Sequence, residues 1–114
     1  MIPAAIGINY IEFNVLDIAS SKHFYQQLGW AFTDYGPQYC EFDSGSLKGG
    51  FFQSTEITAN GGALVVLYSE NLEETYRILQ EAGAIITAEI FTFPGGRRFQ
   101  FRDLDGYELA IWSQ

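Results

Sequence analysis

The chain has 114 residues, about the length of one ordinary domain, and 47% of them are hydrophobic, which excludes a disordered chain. Six Lys and Arg against fourteen Asp and Glu give a net charge of −8, which argues against nucleic acid or an anionic membrane surface as partner. One cysteine, no apolar run of about 20 residues and no basic N-terminal segment predict a cytoplasmic protein without a membrane span.

The first half of the chain predicts a strand, a helix and three further strands. Every second residue of "IEFNV" is apolar, so one face of this strand is apolar and the other carries Tyr10, Glu12 and Asn14. Asp17 is a good N-cap for the helix, and Gly29 ends it. The segments "WAFTDY", "QYCEF" and "LKGGFFQ" predict the three strands that follow.

The second half repeats this order of elements. "ALVVLY" predicts a strand, Asn71 caps a helix that Gly83 ends, and "AIITAEI", "RRFQF" and "YELAIW" predict three strands. The helix caps of the two halves are 54 residues apart, and so are the glycines that end the helices. Gly45 and Gly106 are 61 residues apart, so we expect about seven extra residues in the second copy, in the loop around "FPGG".

The repeat predicts an α+β fold of two tandem βαβββ modules whose curved mixed sheets enclose a cleft. A helix covers one face of each sheet, and the two bare faces can curl toward each other. We expect one domain over residues 1–114, with module 1 at about 5–53, a linker at about 54–62 and module 2 at about 63–114.

The sequence resembles the vicinal oxygen chelate superfamily. "YIEFNVLDIASSKHFYQQLGW" is similar to the opening of its members, where an Asp precedes a Ser-x-x-x-Phe-Tyr helix and a Leu-Gly-aromatic end. "FRDLDGYELAIW" resembles the closing Asp-x-x-Gly hairpin, with Asp103 and Gly106. The family includes glyoxalase I, extradiol dioxygenases, fosfomycin-resistance transferases and bleomycin-binding resistance proteins. The resemblance implies paired modules around a cleft and a homodimer.

Metal-dependent members of the family take His, Glu or Gln ligands from the first and last strands of each module. Carried over position by position, these sites are Tyr10, Gly49, Leu64 and Ala110. Three of them have no donor atom, and neutral tyrosine is a poor ligand for divalent ions. A two-residue shift substitutes Glu12 and Glu108, which could hold Mg²⁺ or Mn²⁺ weakly together with water. We predict no metal and no cofactor.

Strand alternation predicts which side chains face the cleft. The candidate ligand-binding residues are Tyr10, Glu12, Asn14, Arg98, Gln100, Glu108, Ala110 and Trp112. In "RRFQF", alternation alone leaves two sets open: either Arg98, Gln100 and Arg102, or Arg97, Phe99 and Phe101. A glutamine is unusual under a helix, which favours the first set.

Glu12 is the most informative candidate because it interrupts an otherwise apolar strand. A dry cleft would raise the pKa of this carboxyl, as at many functional sites. The competing interpretation is a structural ion pair with Arg98 or Arg102.

These patterns predict a metal-free small-molecule binding protein similar to the bleomycin-resistance branch, binding a cationic or aromatic ligand, as in antibiotic resistance. The alternative is a lyase, isomerase or dioxygenase of the same superfamily, with Glu12 as general base or metal ligand and Glu108 as the second carboxylate. A third possibility is an accessory or regulatory domain without a small ligand.

Overall fold

The computed structural model describes residues 8–59 and 63–114. The elements of module 1 are β1 (Tyr10–Val15), α1 (Ile18–Gln26), β2 (Ala31–Asp34), β3 (Tyr39–Asp43) and β4 (Lys48–Gln53). Those of module 2 are β5 (Val65–Tyr68), α2 (Leu72–Glu81), β6 (Ile85–Phe93), β7 (Gly96–Arg102) and β8 (Glu108–Ser113). Residues 54–59 form neither helix nor strand. The predicted start of module 1 and the predicted end of the linker lie outside the described residues.

The strands form two four-stranded mixed sheets, ordered β1-β4-β3-β2 and β5-β8-β7-β6. In each sheet the first strand of the module pairs in parallel with the last, and the other pairs are antiparallel. Each module is therefore strand, helix and three strands, which confirms the predicted α+β fold of tandem βαβββ modules. Neither helix of the described residues has the length and apolar character needed to cross a membrane.

The helix starts follow the predicted caps. Asp17 accepts the backbone N–H of Ser20 at 3.0 Å. Asn71 accepts the backbone N–H of Glu74 at 3.1 Å, and its own side-chain amide donates to the Glu74 carboxylate at 3.3 Å. These bonds satisfy N–H groups that the first turn of a helix leaves without partners.

Each helix covers one apolar sheet face. In module 1, the Tyr25 ring of α1 stacks on Trp30 at a centroid distance of 4.4 Å, and Trp30 stacks on Phe42 at 4.6 Å. Cys40 lies in the same core, where burial raises the pKa of its thiol to about 11. In module 2, the buried core side chains are Leu72, Leu79, Phe99, Phe101, Leu109 and Ile111.

The extra residues of module 2 do not lie in a longer loop. The turn between β6 and β7 consists of Pro94 and Gly95 alone. The strands themselves are longer, with nine and seven residues against four and five in β2 and β3. The prediction of a long "FPGG" loop is wrong because the added residues extend the hairpin ladder.

The two modules are joined where the two family-like motifs meet. The Tyr25 hydroxyl of α1 donates to one carboxylate oxygen of Asp103 at 2.7 Å. The other oxygen accepts the backbone N–H groups of Asp105 and Tyr107, each at 3.0 Å. Asp105 in turn accepts the backbone N–H of Leu16 at 2.9 Å. The closing hairpin therefore holds the first helix, and both Tyr25 and Asp103 are buried.

Candidate functional site

The sheet of module 1 has an open face opposite α1. Tyr10, Glu12 and Asn14 alternate with the buried side of β1, as predicted from strand alternation. The strand register places Gly50 of β4 beside Glu12 and Glu41 of β3 beside Gly50. Glu12 is exposed, so the described residues do not give it the dry surroundings expected of an enclosed cleft. No ion pair of the described residues includes Glu12, so the alternative of a structural pair with an arginine is absent there.

The closing-strand position of module 1 needs a correction. Gly49 pairs with Ile11 and lies on the helix-covered face, where a Cβ atom would meet the Ile11 carbonyl oxygen and the Phe42 ring. Its neighbour Gly50 lies on the open face. Two residues separate Gly45 from β4, whereas one residue separates Gly106 from β8, so the offset from the hairpin glycine is five in module 1 and four in module 2.

The side chains at the family's metal positions do not fit a divalent ion. With the correction, these positions are Tyr10, Gly50, Leu64 and Ala110. They offer one phenol and no carboxylate, imidazole or amide. The hydroxyl groups of Tyr10 and Tyr39 are hydrogen-bonded to each other in the space that a side chain on Gly50 would occupy. Within residues 8–59 and 63–114, no three His, Cys, Asp or Glu side chains form a possible metal-binding group.

The open face of module 2 carries the predicted polar set. The cross-strand pairs between β7 and β8 are Arg98 with Trp112, Gln100 with Ala110, and Arg102 with Glu108. The rejected set faces away: Phe99 and Phe101 are buried, and Arg97 pairs with Glu73 at 2.7 Å. The preferred alternation is therefore confirmed, while the role of these residues in ligand binding stays a prediction.

One line of side chains across this face is almost entirely aromatic. Tyr68 of β5, Trp112 of β8, Arg98 of β7 and Phe91 of β6 are successive cross-strand neighbours. The Tyr68 and Trp112 rings meet edge to face at 4.9 Å. The Arg98 guanidinium carbon lies 5.2 Å from the centre of the Phe91 ring and 6.0 Å from that of Phe93. We call these five residues the aromatic row.

A chain of hydrogen bonds runs from the aromatic row to Glu108. Arg98 Nη2 donates to Gln100 Oε1 at 3.0 Å, and Gln100 Nε2 donates to Glu108 Oε2 at 3.0 Å. Thr87 donates to the same Oε2 atom at 2.6 Å. The bonds from Thr87 and Gln100 lower the pKa of Glu108, so this carboxylate is ionised at neutral pH. Both bonds reach Oε2, and no hydrogen bond among the described residues uses Oε1.

The candidate residues do not share one enclosed cavity in the part of the chain that the structure describes. Glu12, Arg102 and Glu108 border a cleft of about 350 Å³ where β1 approaches the start of β5. Trp112 and Tyr68 border a larger apolar groove of about 830 Å³ between the modules. Ala110 is fully buried under its larger neighbours and forms the floor of the module 2 face.

Four residues of these two faces escaped the sequence analysis: Tyr39, Thr87, Phe91 and Phe93. Phe91 and Phe93 lie beyond the predicted end of their strand, so their alternation was not considered. Tyr39 alternates with the buried Cys40 in β3, and that pattern was a usable signal. Thr87 is recognisable only from its bond to Glu108.

Comparison with known protein families assigns the chain to a superfamily. Residues 7–111 match the Glyoxalase/Bleomycin resistance protein/Dioxygenase superfamily, so the protein belongs to that superfamily and the resemblance seen in its motifs is confirmed. A comparison with curated proteins finds no match.

Solved structures share the fold at low sequence identity. Hypothetical protein SA1046 from S. aureus is 19% identical, with a TM-score of 0.78 over 97% of this chain and 95% of that one. A glyoxalase-related enzyme from Fulvimarina pelagi is 17% identical, with a TM-score of 0.81 over 96% and 89%. The fosfomycin resistance protein FosX from Listeria monocytogenes, complexed with Mn(II) and a dihydroxypropylphosphonic acid, is 15% identical, with a TM-score of 0.82 over 96% and 91%.

Proposed function

We propose that this protein is a metal-free, cytoplasmic small-molecule binding protein that holds an aromatic ligand against the open face of module 2. The observation that carries the proposal is the aromatic row, on a face whose family metal positions have no donor atoms. A flat ring gains area burial and favourable edge or face contacts against Tyr68 and Trp112. The protein acts by sequestration, like the bleomycin-binding resistance proteins of the superfamily, rather than by chemistry on the ligand.

The carboxylates favour a cationic group elsewhere on this ligand. Glu108 is ionised and has an oxygen, Oε1, that no hydrogen bond among the described residues uses, and Glu12 borders the same cleft. The net charge of −8 raises the local concentration of cations around the protein. A ligand that spans from Trp112 to this cleft therefore presents a ring at one end and positive charge at the other.

The proposal includes a homodimer, because each open face lacks a cover in the single chain. Tyr10 and Phe52 on module 1 are each 40% exposed, and Val66 and Tyr68 on β5 are 45% and 50% exposed. Each of the edge strands β1 and β5 has one sheet partner. A second copy that covers these faces encloses the ligand sites.

The oligomeric state tests this pairing. We expect sedimentation velocity at micromolar concentration to give a dimer for the wild-type protein and a monomer for Tyr68→Glu. A wild-type protein that is monomeric at all concentrations contradicts the pairing.

Ligand binding is testable with three naphthalene compounds that differ only in charge: 2-naphthamidine, 2-naphthamide and 2-naphthoate. We expect calorimetry to detect binding of naphthalene compounds in the presence of EDTA, and Trp112→Leu to weaken it about tenfold through lost stacking. Tyr35→Leu is the matched control, because Tyr35 is exposed outside the strands of module 1 and its loss should leave affinity unchanged. The proposal is refuted if none of the three compounds binds, or if EDTA abolishes their binding.

A further inference from the structure

Three cations of this acidic chain, Lys48, Arg98 and Arg102, form no ion pair among the described residues, and of these three only Arg98 has a buried donor atom without a hydrogen-bond partner there. Lys22, Arg77 and Arg97 each pair with a carboxylate, at 3.1, 3.1 and 2.7 Å. In the part of the chain that the structure describes, Arg98 has no such partner. With fourteen acidic residues available, an arginine held on a sheet face without one is a candidate for recognising a group from outside.

The surroundings of Arg98 fix its orientation. Phe91 and Phe93 lie against its guanidinium, and Gln100 accepts from Nη2. Gln100 is itself anchored by Glu108, so the guanidinium is held at both its face and one edge. A planar donor fork fixed in this way loses little freedom when it binds a planar acceptor.

The donors of Arg98 are largely unused. The Nε atom is buried and has no hydrogen-bond partner among the described residues. Of the five N–H groups of the guanidinium, the structure pairs one, with Gln100. Buried donors normally have partners, and this arrangement leaves hydrogen-bonding capacity at the centre of the aromatic row.

We infer that Arg98 recognises a carboxylate attached to the aromatic ring of the ligand. The inference rests on the proposed function, because it places this group on the ligand held by Trp112. Arg98 is the direct cross-strand partner of Trp112. A ring stacked beside Trp112 therefore brings its carboxylate over Arg98. The carboxylate binds the guanidinium in two parallel hydrogen bonds, and Phe91 and Phe93 keep water from the other side.

Together with Glu108, this assignment makes the ligand amphoteric. Arg98 and Glu108 face the same side of the sheet on adjacent strands, and Glu108 is the cross-strand partner of Arg102, four residues along β7 from Arg98. The backbones of Arg98 and Glu108 are about 13 Å apart along the strand direction. Their charged groups are closer than that, because the Gln100 amide bridges them through two hydrogen bonds of 3.0 Å. The ligand class is an aromatic carboxylate with a cationic group at the far end.

The test compares the naphthalene series on variants of two adjacent arginines. Arg98→Gln is expected to weaken 2-naphthoate binding about tenfold or more and 2-naphthamide binding less than about twofold, because only the carboxylate forms an ion pair with two parallel hydrogen bonds to the guanidinium. Arg98→Lys keeps the charge but loses the fork, so its loss for 2-naphthoate is intermediate. Arg97→Gln removes a cation from the opposite face of the same strand and should change neither affinity.

The outcomes separate this inference from the proposed function. The role of Arg98 is overturned if 2-naphthoate binds no more tightly than 2-naphthamide, or if Arg97→Gln and Arg98→Gln lose the same affinity for 2-naphthoate. Either result leaves the aromatic site in place. No binding of any compound to the wild-type protein refutes the proposed function itself. If Arg98→Gln does not fold, the affinities of Arg98→Lys for 2-naphthoate and 2-naphthamide test the role of Arg98 instead.

Discussion

Asp103→Ala is expected to lower the free energy of unfolding by about 3 kcal/mol, a large part of the total for a domain of this size. The carboxylate accepts three hydrogen bonds, from the Tyr25 hydroxyl and from the backbone N–H groups of Asp105 and Tyr107. Alanine leaves these donors without partners beside the buried Tyr25, and their lost hydration is not regained. Urea unfolding followed by circular dichroism measures the change.

Asp43→Ala is the matched control for this prediction. Asp43 precedes the corresponding turn of module 1 and accepts one exposed backbone N–H, from Gly45 at 2.8 Å. We expect this variant to lose less than about 1 kcal/mol. Equal losses in the two variants contradict the view that Asp103 joins the modules.

The pH dependence of folding gives a second measurement of the same contact. Burial raises the pKa of the Asp103 carboxyl, so the folded protein holds a proton there more readily than the unfolded chain. The resulting stabilisation is present below the unfolded-state pKa and is lost as pH rises through the folded-state pKa. Asparagine does not titrate, so the stability of the wild type relative to Asp103→Asn should decrease as the pH rises above about 4.

Gly49→Ala is expected to destabilise the fold by about 3 kcal/mol, whereas Gly50→Ala costs only about 1 kcal/mol. An added methyl group at Gly49 meets the Ile11 carbonyl oxygen, which belongs to the backbone of β1, so the two parallel strands must separate. At Gly50 it meets the hydroxyl ends of Tyr10 and Tyr39, which can rotate away at the cost of their mutual hydrogen bond.

Thermal melts of the two alanine variants, side by side, measure this difference. The two glycines are adjacent in β4, so helix or strand propensity affects them equally and each serves as the other's control. A Gly50→Ala loss as large as that of Gly49→Ala would show that the tyrosine pair is rigid and that our assignment of the two faces is wrong.

The sequence was sufficient for the architecture because local rules determine it. Asp17 and Asn71 are both strong caps, and the 54-residue spacing between them reveals the repeat before any contact is known. Alternation in β1 and β8 placed Glu12, Glu108 and Trp112 on the open faces correctly, since strands have a fixed period of two.

Features that depend on contacts between distant elements were not predictable. Whether Gly49 or Gly50 lies on the open face depends on one residue between the hairpin glycine and β4. A change of one residue there moves every side chain of the strand to the opposite face of the sheet. The Tyr25–Asp103 hydrogen bond joins residues 78 positions apart, and each motif alone gives no sign of the other. The position of Arg98 between two phenylalanines required the true length of β6, which the strand prediction cut short at Ile90.

The tyrosine pair above Gly50 also constrains how this chain could evolve toward a metalloprotein. A glutamate at position 50 would collide with the two hydroxyl groups, while replacing Tyr39 alone adds no ligand. Intermediate sequences would therefore lose packing before they gain affinity for an ion. A ligand at position 50 requires a second substitution at Tyr10 or Tyr39, so this position is difficult to convert into a metal ligand through single mutations.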